Sequence, residues 1–485
     1  MRTDTLRIAA ASSAIALLAG CSVGADYVRP QLPATADFHE APALASRVVE
    51  TPAPPLNAWW QGFDDPELVR IVDRVIAQNL DLAASAERVA QARALAQHAS
   101  AARQPRGSLD GQLLHEHQSL LSPLGEIASN YPQYDRSQTL ADIGVGASWE
   151  ADLAGGLRRS SEAADADVQA TEAAHAGVRV SLVAEAADAY FSVRGAEARI
   201  AIAQSEVKNQ SDLLELVKLR RARGVGTFRE VAQTEALMLH AEASIPPLRR
   251  DLAAQGFRLD LLMGQAPGTV AVELGAAHGS YAVPSIDTAG GPAELLRRRP
   301  DVIAAERRLA ASNARIGVAL AGYYPSLSLS GLLGFESLDT GRLFSSAAFQ
   351  PAALAGLHWR LFDFGRVDAE VAQAEGANRE ALLNYRASML RATQDVENAI
   401  VAISELEQQH ALLAQEVQAH TQARDAALDA YRGGAVSLLE VLDQDRQLLA
   451  AQDLLAEVHT DDARSAVAAF RALGGGWTVV APTAR

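Results

Sequence analysis

Two stretches of this chain alternate between apolar and polar or small residues. In ADIGVGASWE, Ile143, Val145, Ala147 and Trp149 fall on one side, opposite Asp142, Gly144, Gly146, Ser148 and Glu150. In SLSLSGLLGFE, Leu327, Leu329, Gly331, Leu333 and Phe335 oppose Ser326, Ser328, Ser330, Leu332, Gly334 and Glu336. Residues 108–116 and 353–361 alternate less cleanly. A period of two over about ten residues, with one apolar face, is the signature of a membrane-spanning β-strand. Taken singly, each segment also fits a soluble hairpin. The pattern predicts four strands, near 108–117, 141–153, 326–336 and 352–363. Trp149 and Trp359 stand at equivalent strand ends, where an aromatic girdle meets lipid headgroups.

Elsewhere the period is helical. Ala-rich stretches over 67–103 and 293–322 predict helices, since Ala is the strongest helix former. From Ala154 to Arg223 and from Arg366 to Arg432 no residue strongly stops a helix, and about 67 residues at 1.5 Å each give about 100 Å. A globular core does not need that length, but a periplasm does. Near the C-terminus Val441, Leu448 and Leu455 recur every seven residues beside Leu442 and Leu449. Two adjacent seams suggest a helix packed on both sides, as in a barrel of coiled coils. Pro246-Pro247 predicts a break in the helix that leaves the first long hairpin.

The order of these elements repeats. Asp81, Arg88, Pro105 and Gly111 align with Asp301, Arg308, Pro325 and Gly331, each 220 residues on. Trp149, Gly224 and Val231 align with Trp359, Gly434 and Val441, each 210 residues on. The change of offset places a longer loop between Gly111 and Trp149. The expected division is 1–20, a lipoprotein signal peptide; 21–64, an extended arm; 65–270, the first repeat; 271–292, a linker or equatorial region; 293–476, the second repeat; and 477–485, a tail.

Composition narrows the function. The 485 residues are 49% hydrophobic and 21% charged, with a formal net charge of −16, which argues against nucleic acid as a partner. No apolar run beyond the N-terminus is long enough for a transmembrane helix, so a membrane span must be a barrel. At the N-terminus, Arg2 and Arg7 precede the apolar stretch Ile8–Gly20, too short to span a bilayer but suited to a signal peptide. Leu17-Leu18-Ala19-Gly20-Cys21 resembles the lipobox of bacterial lipoproteins, with Cys21 the acylated new N-terminus. The bland alternative is an ordinary signal peptide carrying an incidental Cys. Ser22 resembles the residue found in lipoproteins forwarded to the outer membrane. Cys21 is the only cysteine, so its acylation leaves no thiol for a disulfide.

Four strands cannot close a barrel. Two chains give eight strands, whose interior side chains fill; three give twelve and leave a lumen. A homotrimer follows, its barrel continued by a quasi-six-fold helical tube.

With DYVRP after Cys21, WWQGFDDPEL at 59–68, and the turns RARGVGTFREVAQTEA and YRGGAVSLLEVLDQDR, the chain resembles the TolC-like outer-membrane efflux proteins. It resembles their lipoprotein branch, the OprM/NodT-like outer-membrane factors, from 21 to about 476. The resemblance implies a mainly α protomer with a small β part, tandem-duplicated. The protomer is one of three in a 12-stranded outer-membrane β-barrel continued by a long periplasmic α-helical barrel. It implies the exit duct of a tripartite pump, docking onto a periplasmic adaptor and an inner-membrane pump of the resistance-nodulation-division type. It also implies a periplasmic gate at Tyr431, Glu440 and Asp443. Val436 stands where a TolC-type gate has Arg. The tips Arg223, Gly224, Val225, Gly226, Arg432, Gly433 and Gly434 are implied to meet the adaptor. Residue chemistry alone leaves Glu440 and Asp443 open between a carboxylate ring and solvated helix-start charges. The tip glycines are needed for the turns in either case.

His115-Glu116-His117 puts two imidazoles on one strand face, without a third ligand. No metal or other cofactor is expected. Nucleotide, phosphate-loop and hydrolase fingerprints do not occur, so the chain is not expected to be an enzyme. The alternatives are the outer component of type I protein secretion and a periplasmic coiled-coil structural lipoprotein without a channel.

Overall fold

The computed structural model describes residues 22–30, 37–45, 53–270, 274, 281, 283–286 and 291–478. Cys21 and the signal segment lie outside the described residues, as does most of the linker 271–292. In chain order the elements are α1 (Ala41–Ala45), a 3-10 segment (Leu56–Phe63), α2 (Pro66–Gln78), α3 (Leu80–Ala101), β1 (Arg106–His117), α4 (Pro123–Ala128), β2 (Ser137–Ala151), α5 (Gly156–Ala222) and α6 (Phe228–Leu262). The second half supplies α7 (Gly291–Arg298), α8 (Pro300–Ala321), β3 (Ser326–Ser337), β4 (Phe349–His358), α9 (Arg366–Arg432) and α10 (Leu438–Ala472). The duplication is visible in the lengths. The long helices α5 and α9 each have 67 residues, and their partners α6 and α10 each have 35. No helix among the described residues is long and apolar enough to cross a membrane.

One sequence expectation needs correction, the break at Pro246-Pro247. The Ala-rich stretches are helical as expected, each as two helices. The first breaks at Asn79, whose backbone is extended, with its side-chain amide donating to the Leu262 carbonyl at 2.8 Å. The second breaks at Arg299, the aligned position, which donates to the Ala472 carbonyl at 3.0 Å. Long-range bonds outweigh local propensity at both places. Pro246 and Pro247 do not break α6, which runs through them. They remove two helical N–H donors, but buried Ala241 and Ile245 before them and Leu259 beyond hold the helix in place.

The chain divides into two compact units. The first takes in the described residues within Met1–Pro30, Ala90–Ala170 and Glu306–Leu383; the second, those within Gln31–Val89, Thr171–Ala305 and Asn384–Arg485.

The first unit holds an antiparallel sheet of order β1-β2-β3-β4, so β1 and β4 are its open edges. Its register repeats with the sequence: Arg106 pairs with Ser148 in β1–β2, and their equivalents Ser326 and His358 pair in β3–β4. The indole of Trp149 donates to the Arg103 carbonyl at 3.0 Å, and that of Trp359 donates to the equivalent Tyr323 carbonyl, also at 3.0 Å. The longer first loop, 118–136, carries α4. Because pleat alternation and register agree, Leu109, Val145, Leu333 and Pro351 line up across one face. Leu109, Leu113, Val145, Leu333, Phe349 and Leu357, all on that face, are exposed. The opposite face carries Ser108, Asp110, Gln112, Asp142, Gly144, Ser148, Ser328, Ser330 and Glu336, with Leu114, Leu140, Leu332 and Leu354 as leucine exceptions.

In the same unit the N-terminal arm is clamped. The Val23 N–H donates to the Ala154 carbonyl at 3.0 Å. Arg159 donates to the carbonyls of Val23 and Gly24 and pairs with Asp26. The Tyr27 hydroxyl donates to Glu306 at 2.7 Å.

The second unit contains the main apolar core. Trp59 of the WWQGF segment stacks on Phe470 at 5.2 Å, and Phe63 meets Phe191 at 4.8 Å. Asp65 caps α2 by accepting from the N–H groups of Glu67 and Leu68, and it also accepts from the Tyr190 hydroxyl at 2.6 Å. The WWQGFDDPEL stretch therefore fastens α2 to the middle of α5. Gly195 does not weaken α5; it admits α10, because a Cβ there would lie 2.3 Å from Thr460 Oγ1.

Candidate functional site

The long hairpins α5–α6 and α9–α10 end in matching turns. The Val225 N–H donates to the Arg220 carbonyl at 3.0 Å, and the Gly224 N–H to that of Arg221 at 3.0 Å. In the second hairpin Ala435 donates to Ala430 at 2.8 Å, and Gly434 to Tyr431 at 3.0 Å. This paired bonding closes a helix whose next residue is left-handed. Gly224 and Gly434 supply that residue, each at φ +77°. Arg223, Val225, Arg432 and Gly433 are exposed at these turns, while Gly226 is half-buried against the end of α5.

The helices that leave the turns start differently. Thr227 and Glu230 form a reciprocal capping box at the start of α6. Ser437 occupies the equivalent position at α10 and makes no side-chain cap bond. Glu440, the counterpart of Glu230, is exposed in the first turn of α10. Asp443 is half-buried and accepts from Arg446 at 2.8 Å and Gln447 at 2.6 Å on its own helix. Both carboxylates lie at the helix start, where the macrodipole favours negative charge.

Tyr431 is 3% exposed and packs among Leu213, Val217, Leu438 and Val441. Burial raises its hydroxyl pKa; Arg220 opposes the rise and Glu230 adds to it. The Arg220 guanidinium lies 4.6 Å from the centre of the Tyr431 ring, within cation–π range. Val436 packs against this cluster and supplies no charge. The cation beside Tyr431 therefore comes from α5, a residue that sequence reasoning passed over.

Reasoning from sequence also missed a polar group deeper in the hairpins. Gln210 of α5 donates to Glu206 at 2.7 Å and to Asp445 of α10 at 3.1 Å, with Arg424 of α9 3.8 Å from Asp445. A signal was present in the seams. Ala203, Gln210 and Val217 are seven residues apart and all buried. Asp445 falls between Leu442 and Leu449 on an apolar seam, and a polar residue there is a marker of specificity.

His115 and His117 bond across the strand pair to Thr139 at 2.9 Å and Ser137 at 2.7 Å. Among the described residues no three His, Cys, Asp or Glu side chains gather as a metal site.

Two segments of the chain, residues 71–265 and 291–475, match the outer membrane efflux protein family, one in each repeat. The chain is 34% identical over 433 residues to the pyoverdine export outer membrane protein OpmQ of Pseudomonas putida, covering 88% of this chain and 90% of that protein. Nodulation protein T of Rhizobium leguminosarum bv. trifolii is 29% identical over 469 residues, covering 96% of each. The solved structure of the outer-membrane channel OprN superposes with a TM-score of 0.84 at 34% identity, covering 94% of this chain and 100% of that one.

Proposed function

Because this chain belongs to the outer membrane efflux protein family, we propose that it is the outer-membrane exit duct of a tripartite pump. Proteins of this kind are passive channels, not enzymes. The observation that carries the reading is the four-stranded sheet, with an exposed apolar face, a polar face and two open edges. In water that face is a liability and the edges invite aggregation. In a bilayer, three copies edge to edge close twelve strands and turn the apolar faces to lipid.

In this proposal the mature chain is a homotrimer, anchored by an acylated Cys21 and reaching into the periplasm. Arg223 to Gly226 and Arg432 to Gly434 meet a periplasmic adaptor. Glu440 and Asp443, brought around the axis three times, ring the entrance, and Tyr431 holds the inner hairpin in register. The energy comes from an inner-membrane partner, for which a resistance-nodulation-division pump is the proposal. Export in the name of the relative from P. putida supports the direction of transport, and a small-molecule cargo is part of the proposal. The protein purified in detergent is expected to run as a trimer and to conduct in planar bilayers. Replacing Glu440 and Asp443 by Ala should raise the conductance. A monomer that stays silent with both replacements would overturn the reading.

A further inference from the structure

The polar group on the hairpin seams is short of a hydrogen. Gln210 is 1% exposed and Asp445 is 9% exposed. The Gln210 amide nitrogen serves two carboxylates at once, Glu206 and Asp445. Among the described residues its own Oε1 has no donor, and the buried Nε of Arg424 has no acceptor within hydrogen-bonding distance. Ionised carboxylates only accept. With both carboxyl groups ionised, two negative charges crowd one buried amide nitrogen beside the unmet Gln210 Oε1, with Asn209 a further donor to Glu206 and the Arg424 Nε 3.8 Å from Asp445, and an unmet buried acceptor is costly. One proton on either carboxyl group adds an O–H donor to the cluster and removes the repulsion between the two charges.

We propose that Glu206, Gln210 and Asp445 share a proton that latches α10 to α5 behind the hairpin tips, the packed hairpins being the proton-bound state. This rests on reading those tips as the entrance of a duct. Asp445 lies five residues beyond Glu440 and two beyond Asp443 on one helix, so a movement of α10 away from α5 carries both gate carboxylates with it. Glu206, Gln210 and Asp445 are then positioning residues, acting on the entrance through α10.

Burial sets the sign, and the neighbouring charges act in both directions. Burial raises the Asp445 carboxyl above its ordinary value; Arg424 and Gln210 on α9 and α5 oppose this, and Asp425 on α9 adds to it. Burial likewise raises Glu206, with the Asp445 charge adding and Gln210, Asn209 and Arg424 opposing. On α9 His420 pairs with Glu416 one turn before Arg424, and on α10 Asp443 pairs with Arg446. A carboxyl raised in the packed state stabilises that state at low pH and loses the contribution as pH rises through the raised value. Acid therefore holds the entrance shut, and alkali loosens it.

The test is single-channel recording of the full-length trimer in planar bilayers between about pH 5 and about pH 8, on the Glu440→Ala, Asp443→Ala background. Each proton released on opening contributes at most about tenfold in open probability per pH unit, so a several-fold rise with pH is expected. Asp445→Asn mimics the protonated carboxyl in nearly the same volume. It should stay trimeric, keep a low open probability, and vary less than about twofold across the range. Glu206→Gln should flatten the response likewise, and it carries the test if Asp445→Asn does not assemble. His420→Gln should keep the unmodified response. A background channel that conducts without responding to pH overturns the latch, as does an Asp445→Asn or Glu206→Gln trimer that keeps the original slope. A silent channel at every pH overturns the duct instead.

Discussion

Leu333→Arg and Ser330→Arg separate a barrel from a soluble hairpin. Both residues lie on β3 and both are exposed in the single chain, Leu333 at 63%. A soluble sheet should tolerate either arginine within about 0.5 kcal/mol, as exposed sites generally do. The two side chains point to opposite faces. Leu333 stands between Val145 and Pro351 on the apolar side, and Ser330 between Ser148 and Leu354 on the polar side. If the apolar side meets lipid, an arginine near the midplane costs about 2–4 kcal/mol per protomer. Leu333 has about two-thirds of its surface left to bury, and burying a whole leucine side chain gains about 1.5–3 kcal/mol. The substitution therefore forfeits a further contribution of about 1–2 kcal/mol. Three copies together make roughly 9–18 kcal/mol per barrel, enough to block assembly. Ser330→Arg should fold and alter conductance instead. The assay is urea-dependent folding into lipid vesicles, read by detergent-resistant trimer. Equal folding of the two variants, at unmodified yield, would refute the membrane assignment of this face.

Three other sites give sharp expectations. Arg194→Ala removes a buried guanidinium that pairs with both Glu67 and Glu197, and leaves Glu67 to the exposed Arg70 at 2.9 Å; about 1.5–3 kcal/mol should be lost in denaturant titration, and Arg194→Met with Glu67→Leu should recover part of it. Burial alone would raise the Glu306 carboxyl, but Arg307, Tyr27 and Arg29 together hold it below its ordinary value of 4.5. Its contribution is therefore present above that value and lost as pH falls through the lowered one. Hydrogen exchange at Val23 and Tyr27 should quicken in Glu306→Gln at neutral pH, and in the unmodified protein only in acid. Gly224→Val and Gly434→Val should each cost about 1–2 kcal/mol for a left-handed backbone, because a Cβ at either position meets nothing within 4 Å. Unequal costs would show that the two tips are not conformationally equivalent.

What could be read from the sequence was whatever its periodicity constrains directly. Alternation along β2 and β3 forces a register, because a slip of one residue would send Val145 and Leu333 to the polar side. The ends of α5 and α9 are legible because Gly224 and Gly434 are cheap at the positive φ those turns use. The missed features depend on partners far away in the chain. Asn79 looks like an interior helix residue until Leu262 offers a carbonyl, and Arg299 does until Ala472 does the same. Pro246-Pro247 looks like a stop until the buried residues on both sides of it are counted. Arg220 could not be matched to Tyr431 by spacing, since the two lie on different hairpins. Gln210 and Asp445 are the instructive middle case. Their seam positions are plain in the sequence, and heptad reasoning predicts apolar residues there. A polar residue in such a place marks either a fault in packing or a contact that something must be able to undo. The two are 235 residues apart, on the hairpins of different repeats, and they bond to each other. A packing fault confined to one repeat would not draw a partner from the other, and that favours a contact made to be released.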